Sequence, residues 1–404
     1  MKAEIKERID KINRGQVPEG YKKTREGIIP YEWKIEKLGK YVTIHSGDSP
    51  SKFKFCSTGV SYFKVDDLNN CDKYLANSEL KIDEKDLKKI VPKNSLIFPK
   101  RGASILTNKV RILKENSFFD TNLMGIEPNE EKINYEFLYY LILEKGLYKI
   151  ADTSTIPQLN NKHIEPLLVV LPNVSEQKRI AQVLSTWDKA IELKEKLIEQ
   201  KKEQKKGLMQ RLLTGKVRLP GFEGEWEEIQ VKDVCEIGRG RVISKKEIEQ
   251  NQGIYPVYSS QTSNNGEIGR INTYDYDGEY ITWTTDGVNA GTVFYRKGKF
   301  NCTNVCGTLK LLRHDIDARY FSLMLQRETD KYVVRHGNPK LMNNVMAIIT
   351  VRIFNNYEYQ KFICDIFDMA DREITLLEQE AEALKQQKKG LMQLLLTGKV
   401  RVKC

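Results

Sequence analysis

The residues of this chain that could do covalent chemistry stand in patterns that complete no site. Thr214-Gly215-Lys216 has the wording of a phosphate-binding loop, yet Val217 stands where Ser or Thr would hold magnesium, and Gly207 is not at the spacing of the loop's first glycine. The wording recurs at Thr397-Gly398-Lys399-Val400, which argues for a structural repeat and against an ATP site. Asn338-Pro339-Lys340-Leu341 lacks the second Pro and the aromatic of an amino-methyltransferase loop, and Gly238-Arg239-Gly240 is too short to hold that enzyme's cofactor. His45, His163, His314 and His336 have no Ser or Cys motif beside them that marks a nucleophile. Cys302 and Cys306 are a close pair, but no second Cys/His pair follows at zinc-finger spacing, and the other cysteines are scattered. The thiols read as reduced and the metal sites as none. Asp66-Asp67 reads as a solvated turn. The chain is a binding protein with no cofactor of its own.

What it binds is suggested by charge. Lys and Arg total 66 against 55 Asp and Glu, a net charge of +11, and such a surplus draws a polyanion by releasing its counterions. Polar, basic loops supply residue types suited to a nucleic acid: Arg and Lys donate to guanine O6 and N7, and Asn and Gln pair bidentately with adenine. In the first half of the chain these candidates are Ser51, Lys52, Lys54, Lys100, Arg101, Lys109, Gln158, Asn160, Asn161 and Lys162. In the second half they are Arg239, Arg241, Lys245, Lys246, Ser259, Ser260, Gln261, Asn264, Asn265, Lys340, Asn343 and Asn344.

The elements that must position them form one large unit, repeated. KKGLMQRLLTGKVR from Lys205 and KKGLMQLLLTGKVR from Lys388 differ only at Arg211 against Leu394, an offset of 183 that also pairs Asn173 with Asn356, Gln177 with Gln360 and Asp188 with Asp371. Earlier in each copy, EWKIEKLGKYVTIHSG from Glu32 resembles EWEEIQVKDVCEIGRG from Glu225, at an offset of 193. Each copy is therefore a variable body of about 140 residues followed by a matching arm of about 45. The boundaries fall as a leader 1–30, a first body 31–172, a first arm 173–217, a second body 218–355 and a second arm 356–404. The opening MKAEIKERIDKINRG has no apolar core for a signal peptide, and no window approaches a membrane span, so the expected compartment is the cytoplasm.

The bodies combine short β-type runs, NSLIFPK from Asn94, EYITWTT from Glu279 and GTVFYRKGKF from Gly291, with helical stretches from Asn134 and Asp317. The fold class is α+β, two mixed α/β domains joined by long helices. In the first arm Leu184, Trp187, Ile191, Ile198 and Leu208 hold a seven-residue register that Lys194, Lys201 and Lys205 interrupt. In the second, Phe367, Ala370, Ile374, Leu377, Ala381, Leu384 and Leu391 keep the register, broken at Lys388. Asn173 with Glu176 predicts a capping box, and Gly215 a stop. Gly207 and Gly390, inside these helices, predict either a kink or a close approach of another helix or protein. Two copies closing through a two-fold relation make the arms antiparallel, coiled-coil-like spacers between the bodies.

PNVSEQKRIAQVLSTWDKAIE, KKGLMQRLLTGKVR and STIPQLNN, with the two-body organisation, resemble the specificity subunits of type I restriction-modification enzymes over nearly the whole chain. The second arm's YQKFICDIF, from Tyr359, departs from the usual wording but keeps the register. The resemblance implies a non-catalytic subunit whose two target-recognition domains each read half of a gapped, asymmetric site in double-stranded DNA. It implies that the helices bind two methyltransferase subunits, which use S-adenosylmethionine to methylate adenine. Two restriction subunits, using ATP and magnesium, would complete the nuclease. Candidate partner-binding residues on the arms are Gly207, Leu208, Met209, Leu212, Gly390, Leu391, Met392 and Leu395. Rival readings are the recognition subunit of a type II-like restriction-methylation enzyme and a coiled-coil scaffold that binds proteins.

Overall fold

A computed structural model of the chain describes residues 3–83, 90–152 and 156–402, so Ser154 and Thr155 of the STIPQLNN run lie outside the described residues. The chain divides into two compact units, Met1–Glu195 with Gln379–Cys404, and Lys196–Glu378.

In the first unit a five-stranded sheet runs in the order Val42–Ser46, Leu123–Pro128, Leu96–Pro99, Arg111–Leu113, Tyr74–Leu75. The strand Leu96–Pro99, the expected NSLIFPK run, is buried on both faces. Leu96 and Phe98 point into a core shared with the helix Tyr135–Lys145, while Ile97 points into a second core with Phe63 and Phe119. That two-sided burial explains an unbroken apolar run where one-sided burial would give alternation. A four-stranded sheet, Phe118–Phe119, Val60–Phe63, Lys81–Ile82 and Phe55–Cys56, accompanies the first.

In the second unit the strands Cys235–Arg239, Cys306–Leu311, Glu279–Thr284 and Val293–Lys297 form an antiparallel sheet in that order. Ile281, Trp283 and Leu309 enter a core with the helix Ala318–Thr329. The opposite face carries Thr282, Thr284 and Thr308, all buried, and a three-stranded sheet of Glu267–Ile271, Gln252–Tyr258 and Asn301–Cys302 completes the body. A close approach of strand to ring fixes one glycine: a Cβ on Gly307 would stand 2.1 Å from Trp283.

The arms are two helices of 40 residues each, named α1 (Val174–Leu213) and α2 (Tyr357–Leu396). Each is anchored to its own body by the same joint. In the first unit Asn173 Oδ1 accepts from the Glu176 N–H at 2.8 Å, Gln177 Nε2 donates to Pro172 O at 3.0 Å, and Gln177 Oε1 accepts from the Asn134 N–H at 2.9 Å. In the second, Asn356 Oδ1 accepts from the Tyr359 N–H at 2.9 Å, Gln360 Nε2 donates to Phe354 O at 2.8 Å, and Gln360 Oε1 accepts from the Asp317 N–H at 2.8 Å. Gln177 and Gln360 are buried, and each amide has both of its ends satisfied, as burial demands.

The cap at α1 departs from expectation. Asn173 caps as predicted, but the Glu176 carboxylate does not turn back to complete the box; it accepts two hydrogen bonds from Arg401, at 2.9 and 2.8 Å, and one from Trp33 Nε1 at 3.1 Å. A buried carboxylate takes the strongest donors within reach, and here these are Trp33 and Arg401, 143 and 225 residues away along the chain. The helices stop as expected at glycines of left-handed backbone, Gly215 (φ 71°) and Gly398 (φ 70°). Each packs against a tryptophan: a Cβ on Gly215 would stand 2.6 Å from Trp226, and one on Gly398 2.4 Å from Pro30 and 3.1 Å from Trp33.

Within the arms the expected seam positions Leu184, Ile191 and Ile198, and Phe367, Ile374 and Ala381, are buried. The lysines that interrupt the register each find an acid. Lys194 pairs with Glu380 at 2.8 Å and Lys388 with Asp188 in the first unit, and Lys201 with Glu373 at 2.6 Å and Lys205 with Asp371 at 2.5 Å in the second. A lysine can lay its methylenes along apolar surface while its ammonium reaches an acid at the rim, so these positions are compatible with the apolar register. At Gly207 and Gly390 α1 and α2 run on as helix, and among the described residues nothing lies within 4 Å of where a Cβ would be, so no described element makes the close approach that was one of the two expectations. Among the described residues no helix is long and apolar enough to cross a membrane.

Candidate nucleic-acid interface

In the first unit the turn after strand Leu96–Pro99 is built against the segment that follows Ile156. Gly102 N–H donates to Pro157 O at 2.9 Å, Leu159 N–H donates to Lys100 O at 2.9 Å, and Arg101 forms a β-bridge with Gln158. The left-handed Gly102 (φ 77°) turns the chain there. Lys100, Arg101 and Gln158 are thereby gathered, and Asn160, Asn161 and Lys162 follow at the start of a short exposed helix. Burial, with Arg101 adjacent, holds the Lys100 ammonium below its ordinary pKa.

The second unit repeats this construction with other side chains. Gly287 N–H donates to Pro339 O at 2.9 Å and Asp286 bridges Lys340. Arg239 reaches the same turn, Nη2 lying 3.3 Å from both Thr285 Oγ1 and Asp286 Oδ2, while its Nε donates to Asn304 O at 2.6 Å. Asn289 Nδ2 donates to Ser260 O at 3.1 Å, and the hydroxyls of Thr303 and Ser259 are 3.0 Å apart. Arg239, Ser259, Ser260 and Lys340 are thus brought together around 285–289, with exposed Asn264 and Asn265 on the adjoining loop.

Other expected contacts lie elsewhere or turn inward. Ser51 and Lys52 sit in a turn where Lys52 pairs with Asp48 at 2.6 Å, Lys54 is exposed close by, and Lys109 bonds Asn69; none of the four is hydrogen-bonded to the Lys100–Gln158 group. Arg241 is held by Asp275 at 3.0 Å and Glu247 at 2.7 Å, and Lys245 and Lys246 begin an exposed helix capped by Ser244. Asn344 is exposed. Two expectations need correction. Asn343 faces inward, its Nδ2 donating to Gly238 O at 3.2 Å and its Oδ1 buried, so it braces a strand and offers no base an amide. Gln261 likewise gives its Nε2 to Glu267 O at 2.6 Å, which makes it a staple of its own loop. On the arms, Leu212 and Leu395 are each 1% exposed and belong to the cores of their units, so they are not offered to a partner; Leu208, Met209, Leu391 and Met392 are half-buried against the same cores. Helical spacing could not separate these faces, because one stripe serves both the seam and the body beneath it.

Asp286 and the exposed Val288 escaped the reading of the sequence because an acid and an apolar side chain are not nucleic-acid types, and Thr285 and Asn289 because their contacts with Arg239 and Ser260 join residues far apart in sequence. The signal was present: FPKRGAS and WTTDGVN share a glycine at the same distance after an aromatic-bearing strand. Cys302 and Cys306 lie beneath this region with thiols pushed up by burial to about 12 and about 11, which keeps both protonated and unreactive.

Two bodies that share a turn, each followed by a 40-residue helix, can be set beside known proteins. Residues 30–202 and 223–386 match the type I restriction modification DNA specificity domain. The chain belongs to that family. Among relatives, the type I restriction enzyme MpnII specificity subunit of Mycoplasma pneumoniae is 48% identical over 150 residues, 37% of this chain and 45% of that protein. The type I restriction enzyme MjaVIII specificity subunit of Methanocaldococcus jannaschii is 22% identical over 424 aligned residues, 95% of this chain and 97% of that protein. The fold of this specificity-domain chain is also that of the crystal structure of the type I restriction-modification S subunit from M. genitalium, with a TM-score of 0.57 at 16% identity, covering 92% of this chain and 96% of the other.

Proposed function

We propose that this chain is the non-catalytic DNA-recognition subunit of a type I restriction-modification complex. Its target-recognition domains, 31–172 and 218–355, each read one half of a gapped, asymmetric site in double-stranded DNA. Its arms, 173–217 and 356–404, pair as antiparallel coiled-coil helices that fix the gap and carry two methyltransferase subunits. S-adenosylmethionine belongs to those subunits, and ATP and magnesium to two restriction subunits of the full nuclease. The complex works in the cytoplasm.

One observation carries the architecture. Lys388 and Asp371 are the repeat counterparts of Lys205 and Asp188, at the offset of 183, and the two ion pairs are Asp188 with Lys388 and Lys205 with Asp371. Glu195 with Lys385 and Lys202 with Glu378 are a second such reciprocal set. Position i of one copy meeting j of the other, and j meeting i, is what a two-fold relation between the copies requires. Arms of matching sequence beside bodies of dissimilar sequence suit one attachment role and two recognition roles. Lys100, Arg101, Gln158, Arg239, Ser260, Asn264, Asn265 and Lys340 are the side chains we assign to DNA. Gly207 and Gly390, open on this chain, are where a methyltransferase subunit approaches.

The test is to co-express the chain with its methyltransferase subunit and to map methylated adenines in host DNA. A single gapped, asymmetric motif that disappears when the chain is omitted supports the proposal. A soluble, assembled complex that adds no methylation contradicts it.

A further inference from the structure

One guanidinium in the second body is buried with no carboxylate paired to it among the described residues. Arg296, on the strand Val293–Lys297, is 3% exposed; its Nε donates to Thr282 Oγ1 at 3.2 Å and its Nη1 is buried with no acceptor. Burial lowers its pKa, and the titratable groups that act on its charge are the Tyr258 phenol and the Cys306 and Cys302 thiols. A buried cation is normally matched by a carboxylate, so leaving this one unmatched is costly. Stacking at 3.6 Å over the Tyr258 ring and 4.5 Å over Phe294 offsets part of that cost.

The surroundings show what the guanidinium supports. A Cβ on Gly266 would stand 3.1 Å from Arg296 Nη2, 3.3 Å from Gln261 O and 3.5 Å from Ser259 O, so the inner side of the loop 259–266 closes directly over the guanidinium. The loop is stapled at its ends by Ser259 N–H to Gly266 O at 2.9 Å and by Gln261 Nε2 to Glu267 O at 2.6 Å. Between the staples Asn264, Asn265 and Gly266 adopt left-handed backbone in succession, φ 48°, 51° and 83°, with both asparagines exposed. Such a run is unfavourable for residues with a Cβ and persists only where the surroundings impose it.

We propose that Arg296 is a positioning residue for sequence specificity: it is the rigid form over which the loop is moulded, and it fixes the geometry from which Asn264 and Asn265 read the second half-site. Either amide suits an adenine, whose N6 amino group donates to the side-chain oxygen while N7 accepts from the side-chain NH2. Arg296 acts through the loop and does not touch DNA. This rests on the recognition reading given above.

The test compares complexes assembled from wild type, Arg296→Met, Gly266→Ala and the surface variant Asn264→Ala/Asn265→Ala, by methylation motif and by DNA binding across salt concentrations. All three variants are expected to lose about tenfold or more in discrimination at the second half-site. The first half-site's preference and the salt slope should match wild type. Full second-half discrimination in the folded asparagine variant, or in Arg296→Met, overturns the proposal. A uniform loss on every sequence, with a salt slope smaller by about one, would make Arg296 a phosphate contact and overturns it as well. A wild-type complex that directs no motif removes the recognition reading, and this proposal with it.

Discussion

The two bodies build the same turn from opposite charges. In the first, Gly102 bonds Pro157 and the turn presents Lys100 and Arg101 beside Gln158; in the second, Gly287 bonds Pro339 and the turn presents Asp286, with Arg239 and Lys340 drawn in around it. The backbone hydrogen bonds are shared and the side chains are not. A frame held by main-chain bonds can change every exposed side chain without changing shape, which, on the function proposed above, would let one architecture serve two different half-sites. The anchoring ends differ in the same manner. Position 176 is a buried glutamate gripped by Arg401, whereas its counterpart, Tyr359, buries a hydroxyl with no partner.

That last contrast predicts the largest effect. Glu176→Ala leaves Arg401 and Trp33 Nε1 without their acceptor and should destabilise the chain by about 3 kcal/mol, somewhat less than a fully buried pair because the arginine is partly solvated. Tyr359→Phe removes an unsatisfied hydroxyl and should be neutral or stabilising by up to about 1 kcal/mol. Chemical denaturation of the two variants checks both, and equal losses would break the comparison.

At the turns, Arg101→Ala should weaken binding to the cognate site by roughly ten- to a hundredfold, the worth of about 1–3 kcal/mol for a base-reading arginine. Asp286→Ala frees Arg239 and Lys340 and should instead strengthen binding to non-cognate DNA, with a steeper salt dependence. Fluorescence anisotropy on matched and mismatched duplexes would expose the opposite signs; two losses of similar size would mean that the acidic turn reads bases directly.

The smallest effects concern the arms. Gly207→Ala and Gly390→Ala should each raise the stability of the isolated chain by about 1 kcal/mol, because each glycine lies inside a helix with open space at its Cβ. If a methyltransferase subunit approaches there, both variants should also bind it more weakly. Unchanged assembly, measured by titration calorimetry, would place that contact elsewhere on the arms.

Much of this could be read from residue order. The repeat, the arms and their glycine stops, the strands of NSLIFPK and EYITWTT and the helices after Asn134 and Asp317 follow from local periodicity and from the matching of one copy to the other. The proposed contacts coincide with the sequence-based expectation where basic or amide side chains stand exposed on turns, as at Arg101, Asn264 and Asn265. It was misread where the same residue types serve the interior, as at Asn343 and Gln261, since an amide bracing a strand and an amide facing solvent have the same local sequence.

The sequence by itself determined the two-copy plan and the register of each arm, because both are properties of spacing along the chain. Only the tertiary structure decided which lysine meets which acid, that Glu176 belongs to Arg401 and not to its own helix cap, and that Asp286, Arg239 and Lys340 share a turn with Val288. Those outcomes depend on competition among donors and acceptors far apart in sequence, and burial strengthens whichever partner is within reach.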